Sequence, residues 1–156
     1  MFPFIKSGEG SKIYDVDGNE YGIGMYETRI FYNTKQDIYE LSHRYVGQFK
    51  DNKAEGIGIK TYFEGNEIYC GEYKNDERNG LGYWKYPSGA IFVGEHKNHK
   101  PDGFGMLITW DGFKFIGYVE GWSARNGKWY DQNNNEKSII FHYKTLDITD
   151  LFLLLN

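Results

Sequence analysis

The sequence is poor in cysteine, proline and long apolar segments, and each scarcity excludes a class of protein. A single cysteine in 156 residues cannot form an internal disulfide, and there is no Asn-x-Ser/Thr sequon, which together favour a reducing intracellular compartment. Three prolines are too few for collagen. No apolar run approaches the roughly 20 residues of a membrane helix, and the start, Met1 to Lys6, lacks the pattern of a signal peptide.

The sequence also has only a small excess of charge of one sign. The 18 basic and 22 acidic residues leave a formal charge of -4, so a general electrostatic attraction to nucleic acid or anionic lipid is disfavoured. Glycine, with 20 residues, and aromatic residues, at 19%, are abundant. A chain of this length corresponds to one ordinary domain or one short repeat array. A two-domain enzyme is therefore not expected.

Glycine and aromatic residues recur every 23 or 24 residues. The leading motif, an aromatic residue followed two positions later by glycine, begins at Tyr45, Tyr69, Phe92 and Phe115. A Gly-x-Gly pair and then a single glycine follow it in three copies: the pairs begin at Gly56, Gly80 and Gly103, and the single glycines are Gly65, Gly89 and Gly112. In the fourth copy Gly127 arrives one residue late, and Trp129 stands where the partner glycine is expected. Periods of this length are typical of repeat arrays.

Each repeat predicts one β-hairpin. Alternating positions such as Tyr69, Gly71 and Tyr73 indicate strands. The polar segments 50–55, 74–79 and 97–102, rich in Asn and Asp, indicate tight turns. The single glycine of each repeat then reverses the chain, because glycine adopts positive φ. The predicted fold class is all-β: an elongated, twisted antiparallel meander of hairpins.

Glycine inside a strand is normally destabilising, so its regular placement beside large aromatics needs a physical cause. A missing side chain leaves a slot on the face of the sheet, in which a neighbouring ring can lie flat. Each ring would bury on the order of 150 to 250 Å² in this way. Such a sheet needs no second layer to cover its aromatic face.

These columns resemble the MORN repeat (membrane occupation and recognition nexus) from about Tyr45 to Tyr130. The resemblance implies an array at 45–130, with copies at 45–68, 69–91 and 92–114 and a degenerate copy at 115–130. The sequence departs from the repeat pattern at His96, which stands in an aromatic column, and at Thr109, where two other copies have tyrosine.

The flanks, 1–44 and 131–156, are expected to cap the array, because its open edges must be shielded. The first predicts a mixed N-terminal cap: a hairpin turning at Asp17–Gly18, a candidate half-repeat at 22–24 and a candidate helix over 34–41. The second predicts a strand at 137–143 and a short apolar C-terminal helix. That helix either covers the last strand or contacts a second copy or a partner.

Several residues raise chemical alternatives, which turn or packing roles explain better. The acidic turn 15–20 lacks the distal ligands of a calcium loop. Cys70 is out of phase with the aromatic face and has no neighbouring histidine to activate it. His96 and His99 lack two further zinc ligands and are expected at the surface. Mixed charges at the hairpin turns favour a solvated rim over a lipid-headgroup site. No catalytic residue, cofactor or metal is predicted.

The predicted function is a non-catalytic scaffold or adaptor that holds a protein partner or a second copy within a larger assembly. The resemblance implies an intracellular, cytoplasmic assembly of cytoskeletal, ciliary or membrane-junction type, or alternatively a peripheral adaptor for acidic phosphoinositides. Nucleic acid is not an expected partner. The predicted binding residues are array aromatics and C-terminal apolar residues: Tyr62, Tyr73, Tyr83, Trp84, Tyr86, Trp110, Leu151, Phe152, Leu154 and Leu155.

Overall fold

A computed structural model describes residues 11–14, 20–33, 38–121 and 123–137 of the chain. The chain divides into two compact units, Met1–Glu77 and Arg78–Asn156. In both units the described residues are mainly antiparallel β-strand, as the alternation of aromatic and glycine positions predicts. The all-β hairpin meander is therefore confirmed.

In the first unit each strand pairs antiparallel with the next. The strands are β1 (Ser11–Tyr14), β2 (Glu20–Asn33), β3 (Ile38–Lys50), β4 (Lys53–Tyr62) and β5 (Glu67–Lys74). A one-turn 3-10 helix, Glu64–Asn66, lies between β4 and β5.

The second unit follows the same plan. Its strands are β6 (Glu77–Lys85), which starts at the last residue of the first unit, β7 (Ile91–Lys97), β8 (Lys100–Ile108), β9 (Lys114–Glu120), β10 (Ser123–Tyr130) and β11 (Glu136–Lys137). Each strand again pairs antiparallel with the next along the chain.

The tight turns have left-handed backbone at both central residues. Asp51 and Asn52 have φ of 49° and 61°, and Asn98 and His99 have φ of 49° and 68°. Positive φ at both positions is the signature of a type I′ turn, whose twist matches that of the strands it joins. Asn and Asp tolerate this backbone well, so the polar segments form the turns that the sequence predicts.

The longer turns of the second, third and fourth copies use one left-handed residue. Gly89 has φ of 91°, and its amide donates to the carbonyl of Tyr86 at 2.9 Å. Gly112 also has φ of 91°. In the fourth copy Asn134 takes this place with φ of 64°, and its amide donates to the carbonyl of Asp131 at 3.0 Å. The repeat geometry therefore continues past Tyr130.

A β-bulge keeps the fourth copy in register. The pairing of β9 and β10 shifts between Ala124 and Asn126, which leaves Arg125 as the extra residue. Beyond the bulge Gly127 lies opposite Gly117, as the glycines of the other copies do.

The prediction that Trp129 replaces a glycine is wrong. Gly127 is the paired glycine, and Trp129, two residues later, is a core side chain that is 3% exposed. It corresponds to Trp84 and Leu107, which also follow a paired glycine by two residues and are buried. The strand advances four positions from Ala54 to Gly58 in β4 and from Pro101 to Gly105 in β8, but only three from Ala124 to Gly127 in β10. The fourth copy is therefore one residue shorter at its bulge, so a fixed spacing along the sequence misplaces the paired glycine.

The flanks differ from expectation in one respect. The described residues of the N-terminal flank are strand, and β3 begins at Ile38, so the candidate helix 34–41 is wrong over 38–41, while 34–37 lie outside the described residues. The turn at 15–19 and the C-terminal helix lie outside the described residues, so the helix is not confirmed. The division into 1–44, 45–130 and 131–156 stays a prediction.

Candidate binding surface

Glycines lie directly opposite one another across the strands of each unit. In the first unit the row is Gly24, Gly47, Gly58 and Gly71. In the second it is Gly82, Gly94, Gly105, Gly117 and Gly127. Residues two apart in a strand share a face of the sheet, so the rows lie on the face that carries the leading aromatics Tyr45, Tyr69, Phe92 and Phe115. We call this the ring face.

Aromatic rings fill the space above the paired glycines. A Cβ built on Gly105 would stand 2.5 Å from Cζ of Phe92, and a Cβ on Gly127 would stand 2.6 Å from Cζ of Phe115. Ordinary carbon–carbon contacts are about 3.5–4.0 Å. The rings therefore occupy the volume that a side chain would need, which confirms the predicted role of the glycines.

The ring face is closed to solvent at its leading aromatics. Tyr45 and Tyr69 are 0% exposed, and the hydroxyl of Tyr45 donates to the carbonyl of Gln48 at 2.9 Å. Tyr26 stacks on Tyr45 with ring centroids 5.4 Å apart. Burial raises the pKa of Tyr26 to about 12 and raises the pKa of Tyr45 further. These phenols stay neutral in the physiological range, so they pack and offer no charge.

His96 belongs to the ring face as well. Its ring lies 5.2 Å from that of Phe92 and 5.9 Å from that of Trp84, and the side chain is buried. Nδ1 lies 3.0 Å from the carbonyl oxygen of Gly94, which can only accept, so Nδ1 carries the proton. Burial lowers the pKa of His96 to about 4. The predicted surface position is wrong for His96, whereas His99 is exposed in its turn.

The opposite face of the second unit carries exposed apolar side chains from four strands. Leu81, Tyr83, Val93, Phe104, Ile116 and Tyr118 are between 37% and 61% exposed. We call these six residues the outer patch.

Strand pairing makes the outer patch continuous. Tyr83 lies opposite Val93, Val93 opposite Met106, and Met106 opposite Ile116. Beside this row, Phe104 lies opposite Tyr118, and their ring centroids are 5.4 Å apart in a T-shaped arrangement. Contiguous apolar surface of this kind marks interaction sites on soluble proteins.

Charged residues border the outer patch differently on its two sides. Lys85 and Lys114 lie on the same face, each two residues along its strand from a patch residue. On the other side Glu95 lies opposite Leu81. The surface is therefore an apolar row with cations along one border and a carboxylate at the other.

The first unit has a similar exposed row. Met25 lies opposite Val46, Val46 opposite Ile59, and Ile59 opposite Cys70. All four side chains are exposed. The predicted phase of Cys70, pointing away from the aromatics, is confirmed.

The predicted binding residues divide between the two faces. Tyr73 and Trp84 are buried at 4% exposure, and the Arg78 guanidinium lies 3.5 Å from the Trp84 ring centroid. Tyr62 and Tyr86 are half-buried. Trp110 is 56% exposed in the turn after β8, and Tyr83 lies in the outer patch. The C-terminal residues Leu151, Phe152, Leu154 and Leu155 lie outside the described residues.

The described residues hold neither a metal-binding cluster nor a membrane-spanning helix. No three His, Cys, Asp or Glu side chains among them are grouped so that they could hold a metal ion. Nor does that part of the chain include a helix of the length and apolar character needed to span a membrane.

Comparison with known families agrees with the hairpin geometry. The family model for the MORN repeat matches residues 45–67 and 69–91. These two segments are MORN repeats. No curated protein matches the chain. MORN repeats are non-catalytic and generally mediate interactions with proteins or membranes. Residues 92–137 lie outside the matched segments but repeat the same glycine pairs and buried rings.

The outer patch is what sequence reasoning missed, although the MORN pattern holds the signal. The middle residue of each Gly-x-Gly pair is apolar: Ile57, Leu81 and Phe104. Because strand side chains alternate, these residues must point away from the rings. All three are exposed, at 56%, 61% and 48%. The binding residues predicted within the array were aromatic residues outside the Gly-x-Gly pairs, so the apolar middle residues of these pairs were missed.

Proposed function

We propose that this chain is a non-catalytic scaffold that binds another protein through the outer patch. One observation carries the proposal: six large apolar side chains, exposed by 37% or more, form one continuous surface on four strands. The ring face is filled by its own aromatics and leaves little apolar area for a partner. Interface energy concentrates in a few large side chains near the centre of a contact, and Tyr83, Val93 and Ile116 hold that position.

The partner is proposed to be part of an intracellular, cytoplasmic assembly of the cytoskeletal, ciliary or membrane-junction type. This rests on the MORN repeats and on the lone cysteine, which suits a reducing compartment. The proposal assigns no reaction to the chain. It uses the protein-binding side of what MORN repeats do, because the net charge of -4 opposes adhesion to anionic lipid.

The test compares partners captured by cross-linking mass spectrometry in native cells. Val93→Glu/Ile116→Glu places two carboxylates at the centre of the patch, and we expect it to lose the partners that the wild type retains. Ser88→Glu/Asn133→Glu adds the same charge at exposed turns and should retain them. Equal capture by both double variants would refute the proposal.

Liposome flotation tests the alternative that the chain is a peripheral adaptor for acidic phosphoinositides. We expect no shift with phosphoinositide vesicles at low salt, where an electrostatic contact would be strongest. Flotation that is lost in Val93→Glu/Ile116→Glu would assign the patch to a membrane instead.

A further inference from the structure

The outer patch lies close to where the described chain ends. The row Tyr83, Val93, Met106 and Ile116 crosses β6 to β9, and β10 and β11 follow in order. At about 4.8 Å between strands, β11 lies roughly 24 Å from β6. The chain leaves β11 at Lys137 with 19 residues still to come. The chain therefore continues from the last described strand beside an exposed apolar surface of the same unit.

We infer that this segment, through Leu151–Leu155, occupies the outer patch of its own molecule. The five residues Leu151, Phe152, Leu153, Leu154 and Leu155 form the longest uninterrupted run of large apolar side chains in the sequence. Covering the patch with these side chains removes apolar surface of both the patch and the segment from water, which favours the contact. The occupant is thus defined by its sequence.

The connecting chain is long enough. Thirteen residues, 138–150, separate Lys137 from Leu151. At up to about 3.3 Å per residue they span roughly 43 Å, which exceeds the 24 Å to the far strand of the patch. Every position along the row is within reach of the apolar run.

Charge favours one placement of the segment. Asp147 and Asp150 precede the apolar run, and no basic residue follows Lys144. Lys85 and Lys114 border one side of the patch, and Glu95 borders the other. The two aspartates therefore belong on the lysine side, where opposite charges attract and the carboxylate of Glu95 is distant.

The segment then acts as a built-in competitor. A tethered ligand has an effective concentration in the millimolar range, so an external partner must displace it. This consequence rests on the proposed function, but occupation of the patch by the segment does not, because it requires no partner.

A disulfide trap in the full chain tests the occupation itself. In a Cys70→Ser background, Leu153→Cys should form an intramolecular disulfide with Val93→Cys at least about tenfold faster than with Lys97→Cys, an exposed control at the end of the same strand. Equal rates for the two pairs would overturn the inference. Disulfide-linked dimers in place of closed monomers would also overturn it, since they would assign the patch to the segment of a second copy.

A second measurement avoids engineered cysteines. A labelled peptide of residues 144–156 should bind full-length Leu151→Asp/Leu154→Asp at least about tenfold more tightly than it binds the wild type, whose patch is already filled. Adding Val93→Glu/Ile116→Glu to that variant should abolish the binding. Equal affinity for all three chains would refute the inference. Both assays use purified protein, so failure to find a cellular partner would leave their outcome unaffected.

Discussion

Replacing Gly105 with alanine tests the packing of rings over glycines. The added Cβ would stand 2.5 Å from Cζ of Phe92 and 2.8 Å from the carbonyl oxygen of Val93. To reach an ordinary contact of about 3.5 Å the ring must move by roughly 1 Å. Phe92 is only 1% exposed, so it has little room to move without leaving its site. The carbonyl is backbone, so relief on that side requires the strand to shift.

The expected cost lies between two known effects. Overpacking a filled core costs about 1–3 kcal/mol, and full loss of a buried phenylalanine costs about 3–5 kcal/mol. We expect Gly105→Ala to lower the free energy of unfolding of the second unit by about 2–4 kcal/mol. All four tryptophans lie in that unit, so tryptophan fluorescence during urea unfolding reports on it selectively.

A double-mutant cycle identifies the cause. With Phe92→Ala already present, the space above Gly105 is vacant, and the cost of Gly105→Ala should fall by at least about 1 kcal/mol. Gly121→Ala is the control: Gly121 also sits in the second unit, has φ of 62° and has nothing within 4 Å of its built Cβ. It should cost only about 1 kcal/mol of backbone strain. A Gly105→Ala cost below about 0.5 kcal/mol, or one unchanged by Phe92→Ala, would refute the packing argument.

Three further predictions concern single side chains. The pKa of His96 is lowered to about 4 in the folded chain, so between about pH 6.5 and pH 4 the imidazole takes up a proton when the chain unfolds. The free energy of unfolding of the second unit should therefore be highest above about pH 6.5 and fall by up to about 3 kcal/mol toward pH 4. His96→Phe should flatten that pH dependence in fluorescence-monitored urea titrations, and an unchanged slope would contradict it. Asn134 has φ of 64°, so Asn134→Gly should change the melting temperature little, whereas Asn134→Val should cost about 1–2 kcal/mol. Cys70 is exposed, so Cys70→Ser should change stability by less than about 0.5 kcal/mol, and a larger loss in urea unfolding would reveal a packing role.

The repeated hairpins could be read from the sequence because glycine has a specific physical use in them. A residue without a side chain is required under each ring, so the glycine columns record the register of the sheet directly. Turn positions were readable for a similar reason, since Asn and Asp tolerate the left-handed backbone of Asp51 and Asn52. The glycine columns and the turns depend on the residue type at single positions, which can be read directly from the sequence.

The wrong predictions arose where tertiary packing decides. His96 is polar and was expected at the surface, yet it fills an aromatic position between Phe92 and Trp84. Segment 34–41 has no clear period, and β3 includes its second half through pairing with β2. The glycine column of the fourth copy is displaced because the bulge at Arg125 is one residue shorter than those in β4 and β8, which only the strand pairing reveals.

The two faces of the second unit divide stability and binding between different residues. The buried side chains Phe92, Phe115 and Trp129 lie on the ring face, so substitutions there should unfold the unit and remove every activity together. Val93 and Ile116 alternate with them but are 41% and 39% exposed, so in a chain whose outer patch is uncovered a charge at either position meets water and costs little stability. Loss of binding in Val93→Glu/Ile116→Glu with an unchanged urea midpoint would therefore report on the surface alone. A large drop in that midpoint would show instead that the outer patch is covered in the folded chain, which is the result expected if its own C-terminal segment lies on it.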